Sequence, residues 1–190
     1  MSYETGKLLI NNKQFKKAYY IFSKLLREKP DDFKINFQMG KMFYDLNDLD
    51  KSVFYFKKSN KLQPNNPNIL FNLALVFQGM GQIEKAKKIY LDLISINSKD
   101  VKSYYGLFIL NIKNITNEFI QNLESIKNEN KISLFEKSLI NFMFSKFAKQ
   151  RDNLDDEINF LELSHQDCYN SNIIFNSQSD FYYKNIISNN

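Results

Sequence analysis

The side chains best able to do chemistry in this 190-residue chain are few, and they lie close together. His165 is its one His and Cys168 its one Cys. Their spacing, one helical turn, puts both on one face of a helix. A Cys–His nucleophile pair is geometrically poor across one helical turn, and no glycine-rich segment stands nearby to bind an oxyanion. A zinc site needs about four ligands, and only weak carboxylates surround these two. Asp155-Asp156-Glu157 is a carboxylate cluster, but acidic residues in the first turn of a helix offset the positive end of its dipole. Gly79-Met80-Gly81 lacks the preceding strand, the third Gly and the Lys of a phosphate loop, and reads as a helix–helix turn. Asn114-Ile115-Thr116 matches a glycosylation sequon, which matters only in a secretory compartment. No catalytic residue, metal site or cofactor is expected.

The composition fits that reading. One hundred and ninety residues suffice for one domain, and 43% hydrophobic with 25% charged side chains is ordinary globular usage. Five Gly and three Pro against eighteen Phe and eleven Tyr argue for long helices rather than a turn-rich sandwich. One Cys excludes a disulfide framework. No apolar run approaches the roughly 20 residues that span a bilayer, and residues 1–10 lack a signal-peptide plan, so a cytoplasmic protein without a membrane partner is expected. The net charge is +5, and all its basic residues but Arg27 and Arg151 are Lys. Nucleic-acid sites favour Arg for its planar fork, so no nucleic-acid partner is expected.

Internal repeats decide the fold class. Gly6, Gly40 and Ala74 recur at one constant interval, and Phe22, Phe56 and Tyr90 recur at the same one. Phe15, Leu49 and Ile83 form another such series, Leu9, Phe43 and Phe77 a further one, and Pro30 and Pro64 share the interval. Each unit reads as two helices: 33–46 and 49–62, then 67–80 and 83–96. Asn47-Asp48 and Gly81-Gln82 break the pairs, and prolines end the units. Beyond residue 100 the pattern fades into helices over 101–113, 116–127, 133–150 and 154–164. Residues 168–179 read as irregular, and 180–187 as a last short helix.

Small residues where the paired helices cross and large ones between successive pairs resemble the tetratricopeptide repeat family. The family's Gly/Ala, Ala, aromatic and Pro positions are matched, while its Trp position holds Ser2, Asn36, Leu70 and Tyr104. The resemblance implies an all-α, right-handed superhelical solenoid of antiparallel helix pairs. Residues 1–131 would form the array, clear over 1–100 and degenerate over 101–131. Residues 132–190 would add a degenerate helix pair and a tail, packed on the same solenoid. It also implies a non-catalytic scaffold that binds a protein or peptide in a concave groove lined by the first helix of each pair.

The inward positions of those first helices, counted from the core spacing, are Lys7 in unit one and Lys34, Phe37, Lys41 and Tyr44 in unit two. Unit three offers Asn68, Phe71, Asn72 and Gln78, and unit four Lys102 and Tyr105. Tyr3, Ile10, Leu75 and Ile109 extend the same faces. Amides suit an extended peptide backbone, aromatics give contact area, and Lys favours an acidic partner. Residues 1–100 carry the positive charge of the chain, and that charge is expected on the concave face. For Phe37, Phe71 and Tyr105, packing against a neighbouring helix competes with ligand contact.

The C-terminal portion has a second resemblance. Leu139, Phe142 and Lys146, then Asn153-Leu154-Asp155-Asp156-Glu157, Phe160-Leu161 and Tyr169, follow an order similar to the last repeat of repeat-bearing bacterial sulfotransferases. That implies an accessory segment whose catalytic domain is absent from this chain. Ile173-Ile174-Phe175 and Phe181-Tyr182-Tyr183 offer apolar surface for weak self-association.

Overall fold

The structure, a computed structural model, describes residues 2–110, 116–129 and 131–171. These form ten α-helices and no strand, in two compact units, Met1–Ser98 and Lys99–Asn190. The first unit holds α1 (Tyr3–Asn11), α2 (Phe15–Glu28), α3 (Phe33–Asp45), α4 (Leu49–Leu62), α5 (Pro67–Gly79) and α6 (Ile83–Ile96). They pair as α1–α2, α3–α4 and α5–α6, with α2 against α3 and α4 against α5. The fold class is all-α, of the tetratricopeptide solenoid type.

Local chemistry explains the starts of α3, α4 and α5. Asp32 and Asn66 accept from the first free N–H groups of α3 and α5, Asp48 caps α4, and Pro67 opens α5 where its missing N–H costs nothing. The turn inside each pair has one fixed form. Lys13, Asn47 and Gly81, one repeat apart in succession, have φ of 56°, 58° and 70°. After each, the next amide donates back to a first-helix carbonyl: Gln14 to Leu9 at 2.8 Å, Asp48 to Phe43 at 2.9 Å and Gln82 to Phe77 at 2.8 Å. A single left-handed residue thus reverses the chain, and only the third unit uses the glycine that tolerates it best.

The core of a pair is set by a close approach. A Cβ on Gly6 would stand 2.5 Å from the Phe22 ring, and one on Gly40 would stand 2.7 Å from the Phe56 ring. Phe22 and Phe56 are fully buried. Phe22 belongs to one buried cluster with Ala18 of its own helix and Ile35, Met39 and Met42 of α3, so the core runs on from the first pair into the next. Ser52 replaces the family's Ala and donates its Oγ–H to the Gly40 carbonyl at 2.9 Å. Asn36, at the family's Trp position, is buried and donates to the Asp32 carbonyl at 2.8 Å.

The second unit holds α7 (Val101–Leu110), α8 (Asn117–Lys127), α9 (Leu134–Gln150) and α10 (Leu154–Ser171). α9 is the hub, touched by α7, α8 and α10. Thr116 caps α8, and Ser133 with Glu136 forms a capping box on α9. The α9–α10 pair repeats α3–α4 at a constant offset, with Asp152 standing where Asn47 stands. Asp152 has φ 54° and Asn47 has 58°. Asn153 caps α10 through the Asp156 amide as Asp48 caps α4 through that of Lys51. Ser164 Oγ donates to the Ser138 carbonyl at 2.8 Å, as Ser59 does to that of Phe33 at 2.9 Å. The sequence pattern had faded here because Ser145 and Leu161 stand where Gly40 and Phe56 stand, while the backbone register survived.

One boundary is corrected. Residues 168–171 were expected to be irregular, but α10 continues through Ser171, with the Ser171 hydroxyl bonded back to the Cys168 carbonyl at 2.8 Å. The expected helix over 180–187, the apolar pieces at 173–175 and 181–183, and residues 111–115 lie outside the described residues.

Adding one methyl group at Gly40 sets two effects against each other. Helix propensity favours Ala over Gly by about 1 kcal/mol. Forcing the Phe56 ring aside costs about 1–3 kcal/mol, because the ring is enclosed on all sides. Gly40→Ala is therefore expected to lower the urea midpoint. Gly79→Ala, whose Cβ meets only the tip of Leu49 at 3.4 Å, should leave it unchanged or raise it slightly.

Candidate functional site

In the first unit the first helices lie against one another, α1 on α3 and α3 on α5, while no comparable contact joins α2, α4 and α6. The first helices thus form a row in which each touches the next. The positions expected from sequence to bind a partner lie on these helices, with Lys34 and Asn68, Phe37 and Phe71, and Tyr44 and Gln78 at equivalent places in successive repeats.

The candidates divide by burial. Lys34, Lys41, Tyr44 and Asn68 are exposed, and Lys7, Phe37, Phe71, Asn72 and Gln78 are half-buried. In the second unit, Lys102 on α7 is exposed and Tyr105 half-buried. The half-buried aromatics share one packing job. Tyr3 meets Phe22 at 6.0 Å, Phe37 meets Phe56 at 5.6 Å and Phe71 meets Tyr90 at 5.9 Å between ring centroids, with interplanar angles of 63°, 60° and 59°. Each first-helix ring lies on the large second-helix ring of its own pair. In the second unit Tyr105 meets Phe142 of α9 at 6.2 Å and 60°, and stacks on Phe108 of its own helix at 6.3 Å and 23°. The bodies of these rings hold their elements together, and each ring stays only half-buried.

Several polar candidates already have partners. Gln78 Oε1 accepts from the Tyr90 hydroxyl at 3.1 Å. Asn72 donates to the Asn68 carbonyl at 2.7 Å, and Lys7 pairs with Glu4 at 3.2 Å. Gln38, outside the expected set, donates to the Tyr3 hydroxyl at 3.1 Å and ties α3 to α1. Lys41 and Asp45 open onto a cleft of about 380 Å³ lined also by Ile10, Asn11, Lys13 and Phe15.

The charge sits elsewhere. The second helices α2, α4 and α6 carry 11 basic and 4 acidic side chains, and the first helices only 3 and 2. The positive field assigned from sequence to the groove therefore belongs mainly to the opposite row. Part of it is structural. Lys51 stands over the Phe43 ring at 5.2 Å and Lys85 over Phe77 at 5.5 Å, a repeated cation–π contact that the constant spacing of Lys17, Lys51 and Lys85 signals. His165 and Cys168 are both exposed on α10.

The family comparisons agree with this architecture. Residues 40–81 match the model described as TPR repeat, and residues 67–100 the model described as Tetratricopeptide repeat. This segment carries tetratricopeptide repeats. Among solved structures, the chain is similar to MamA 41-end from Desulfovibrio magneticus RS-1, with 17% identity, TM-score 0.65, and 86% of this chain and 93% of that one covered. It is similar to a tetratricopeptide repeat protein from Parabacteroides merdae, with 17% identity, TM-score 0.69, and coverage of 95% and 70%. It is also similar to YrrB, described as a TPR protein with an unusual peptide-binding site, with 11% identity, TM-score 0.58, and coverage of 85% and 82%. No curated protein sequence matches the chain. The resemblance of the C-terminal portion to sulfotransferase repeats finds no support in these matches. The residues that carried it are set by the register of a helix pair: Asn153 caps α10, and Phe160 packs on Phe144 at 5.4 Å.

The Tyr90 phenol is pushed well above the ordinary range, first by burial and then by the neighbouring Tyr44. A phenol harder to ionise in the folded state contributes stability that is complete below the unfolded value near 10 and is lost as the pH rises beyond it. Burial raises Tyr55 and Tyr104 in the same direction. Stability should therefore fall above about pH 10, and Tyr90→Phe should make that fall shallower. At pH 7 the same variant loses the bond to Gln78, at a cost of about 1 kcal/mol. Urea titrations of both proteins at pH 7 and through pH 9–12 measure the two effects.

Proposed function

We propose that the chain is a non-catalytic interaction scaffold that holds an extended segment of a partner protein along its first helices. The observation that carries this reading is the register of α1, α3 and α5. Their packed row sets exposed polar and aromatic side chains at a repeated interval, which suits the repeated backbone of a peptide. Lys34, Lys41, Tyr44 and Asn68 form its accessible surface. Phe37 and Phe71 supply apolar edges from firmly packed rings, so little side-chain entropy is lost on contact. Asn68, Asn72 and Gln78 offer amide groups to a peptide backbone, and Lys7 extends the row at α1. On α7, Lys102 and Tyr105 continue the sequence register and form the corresponding surface of the second unit. The peptide-binding site named for YrrB supports a function of this class for a chain of the same fold.

The polarity of the row points to a partner that pairs carboxylates with a largely neutral, hydrogen-bonding segment. Lys34 and Lys41 lie two helical turns apart on α3 and so share a face. Purified intact chain, used as bait, retrieves the partner. Its affinity is then measured for Lys34→Glu, Lys41→Glu and Tyr44→Ala. Each lysine reversal is expected to weaken binding by about 1 kcal/mol, roughly fivefold, without changing the helical circular dichroism. Unchanged affinity in all three variants would show that the partner binds elsewhere.

A further inference from the structure

The repeat register shows which surface each helix pair offers to the next, and both ends of the described chain leave such a surface open. At the leading end, Met42 and Val76 are fully buried in the second and third pairs. Leu8 is their equivalent in the first pair, one repeat earlier, and it is 59% exposed. Beside it, Leu9, Lys16, Lys17, Tyr20 and Ile21 line an open apolar depression. Leu9, Lys17 and Ile21 correspond to Phe43, Lys51 and Tyr55, and Phe43 packs edge-on against Tyr19 of the preceding pair. The leading edge is therefore shaped to receive a second helix of a pair.

At the other end, α10 is such a helix. In the register that aligns α10 with α4, Leu154, Ile158 and Leu161 are the equivalents of Leu49, Val53 and Phe56. On α4, Leu49 reaches Gly79 of α5 and Phe56 is fully buried. On α10, Leu154 is 64% and Ile158 47% exposed, so this apolar side is open among the described residues. The charges are complementary. α10 carries five acidic side chains and no Lys or Arg, while α2 presents Lys16, Lys17 and Lys24. One position aligns in detail. Lys57 of α4 stands over Phe77 of the following pair at 5.9 Å, next to Lys85 over the same ring. Glu162 is the α10 equivalent of Lys57, and Leu9 and Lys17 are the leading-edge equivalents of Phe77 and Lys85. Two lysines crowd that ring inside the chain, whereas a copy docked at the leading edge would set Glu162 against Lys17.

We propose that a second copy of this chain docks head to tail, with α10 of one molecule seated on the α1–α2 edge of the next as α4 seats the α5–α6 pair. The surfaces are different patches of one molecule, so the contact is heterologous and propagates into rings or filaments rather than stopping at a two-fold dimer. The apolar seat supplies the affinity, and the charges select the direction and make it salt-sensitive. The leading edge includes Leu8 on α1, next to Lys7 of the first-helix row, whereas Ile158 on α10 lies outside that row, so Ile158→Lys leaves peptide binding as a separate readout.

Sedimentation of the full chain over a concentration series tests the proposal. The wild-type mass is expected to rise above the 22.6 kDa of one chain, and less so in high salt. Leu8→Glu blocks the leading edge and Ile158→Lys blocks the α10 side; both sites are exposed, and circular dichroism checks folding. Each variant alone should stay at one chain. Their equimolar mixture should give two-chain particles and nothing larger, because each retains the surface that the other lacks. Lys17→Glu and Glu162→Lys should each weaken assembly roughly tenfold, and the two together in one chain should restore it. A wild-type mass that stays at one chain overturns the proposal. So does assembly that survives Ile158→Lys but not Leu8→Glu, which would mean that two leading edges meet. A charge-swapped double variant no better than its single parents also overturns it.

Discussion

The contact on which the first two helix pairs depend is a ring against a glycine. The Phe22 ring comes so near to Gly6, and that of Phe56 to Gly40, that no side chain fits between them. This closeness fixes how deeply the helices of a pair sink together and turns a flat aromatic into the partition between one pair and the next. The other regularities follow from it. The second-helix rings take the edges of Tyr3 and Phe37 at that depth, the third pair keeps the same ring contact between Phe71 and Tyr90 with Ala74 at the crossing, and a short left-handed turn joins the two helices. A unit made of such contacts depends on nearest neighbours, which is the character of a solenoid.

The same contact divides the surface into two chemical roles. First helices pack against first helices, and the side chains left over on that row are amides, tyrosine and a few lysines. The second helices carry most of the lysines of the unit. Aromatic faces take up part of that charge, as at Phe43 and Phe77. A peptide and an acidic helix would therefore be drawn to different parts of one molecule.

The α9–α10 pair shows that register can outlast sequence. Neither the small residue nor the ring of the crossing is retained there, since Ser145 and Leu161 occupy the two places. The left-handed turn at Asp152, the Asn153 cap and the Ser164 bond to the Ser138 carbonyl are all kept. Backbone geometry set by hydrogen bonds tolerates a change of core filling, because serine and leucine together occupy space comparable to that of glycine and phenylalanine.

The amino-acid order by itself determined the helix pairs, their period and their turns. Those depend on local signals: prolines, capping side chains and small or large residues at a constant interval. It also placed Lys34, Lys41, Tyr44 and Asn68 on open helical faces, since helical spacing alone decides which side of a helix a residue takes. It did not reveal that Gln78, Asn72 and Lys7 were already engaged, or that Phe37 and Phe71 lie on rings of their own pairs. Those are contacts between or along helices whose distances no spacing rule contains. It also set the charge of residues 1–100 in the groove, when most of that charge lies on the other row. A count along the chain gives how much charge there is, and only the packing of first helices on first helices decides which way it faces.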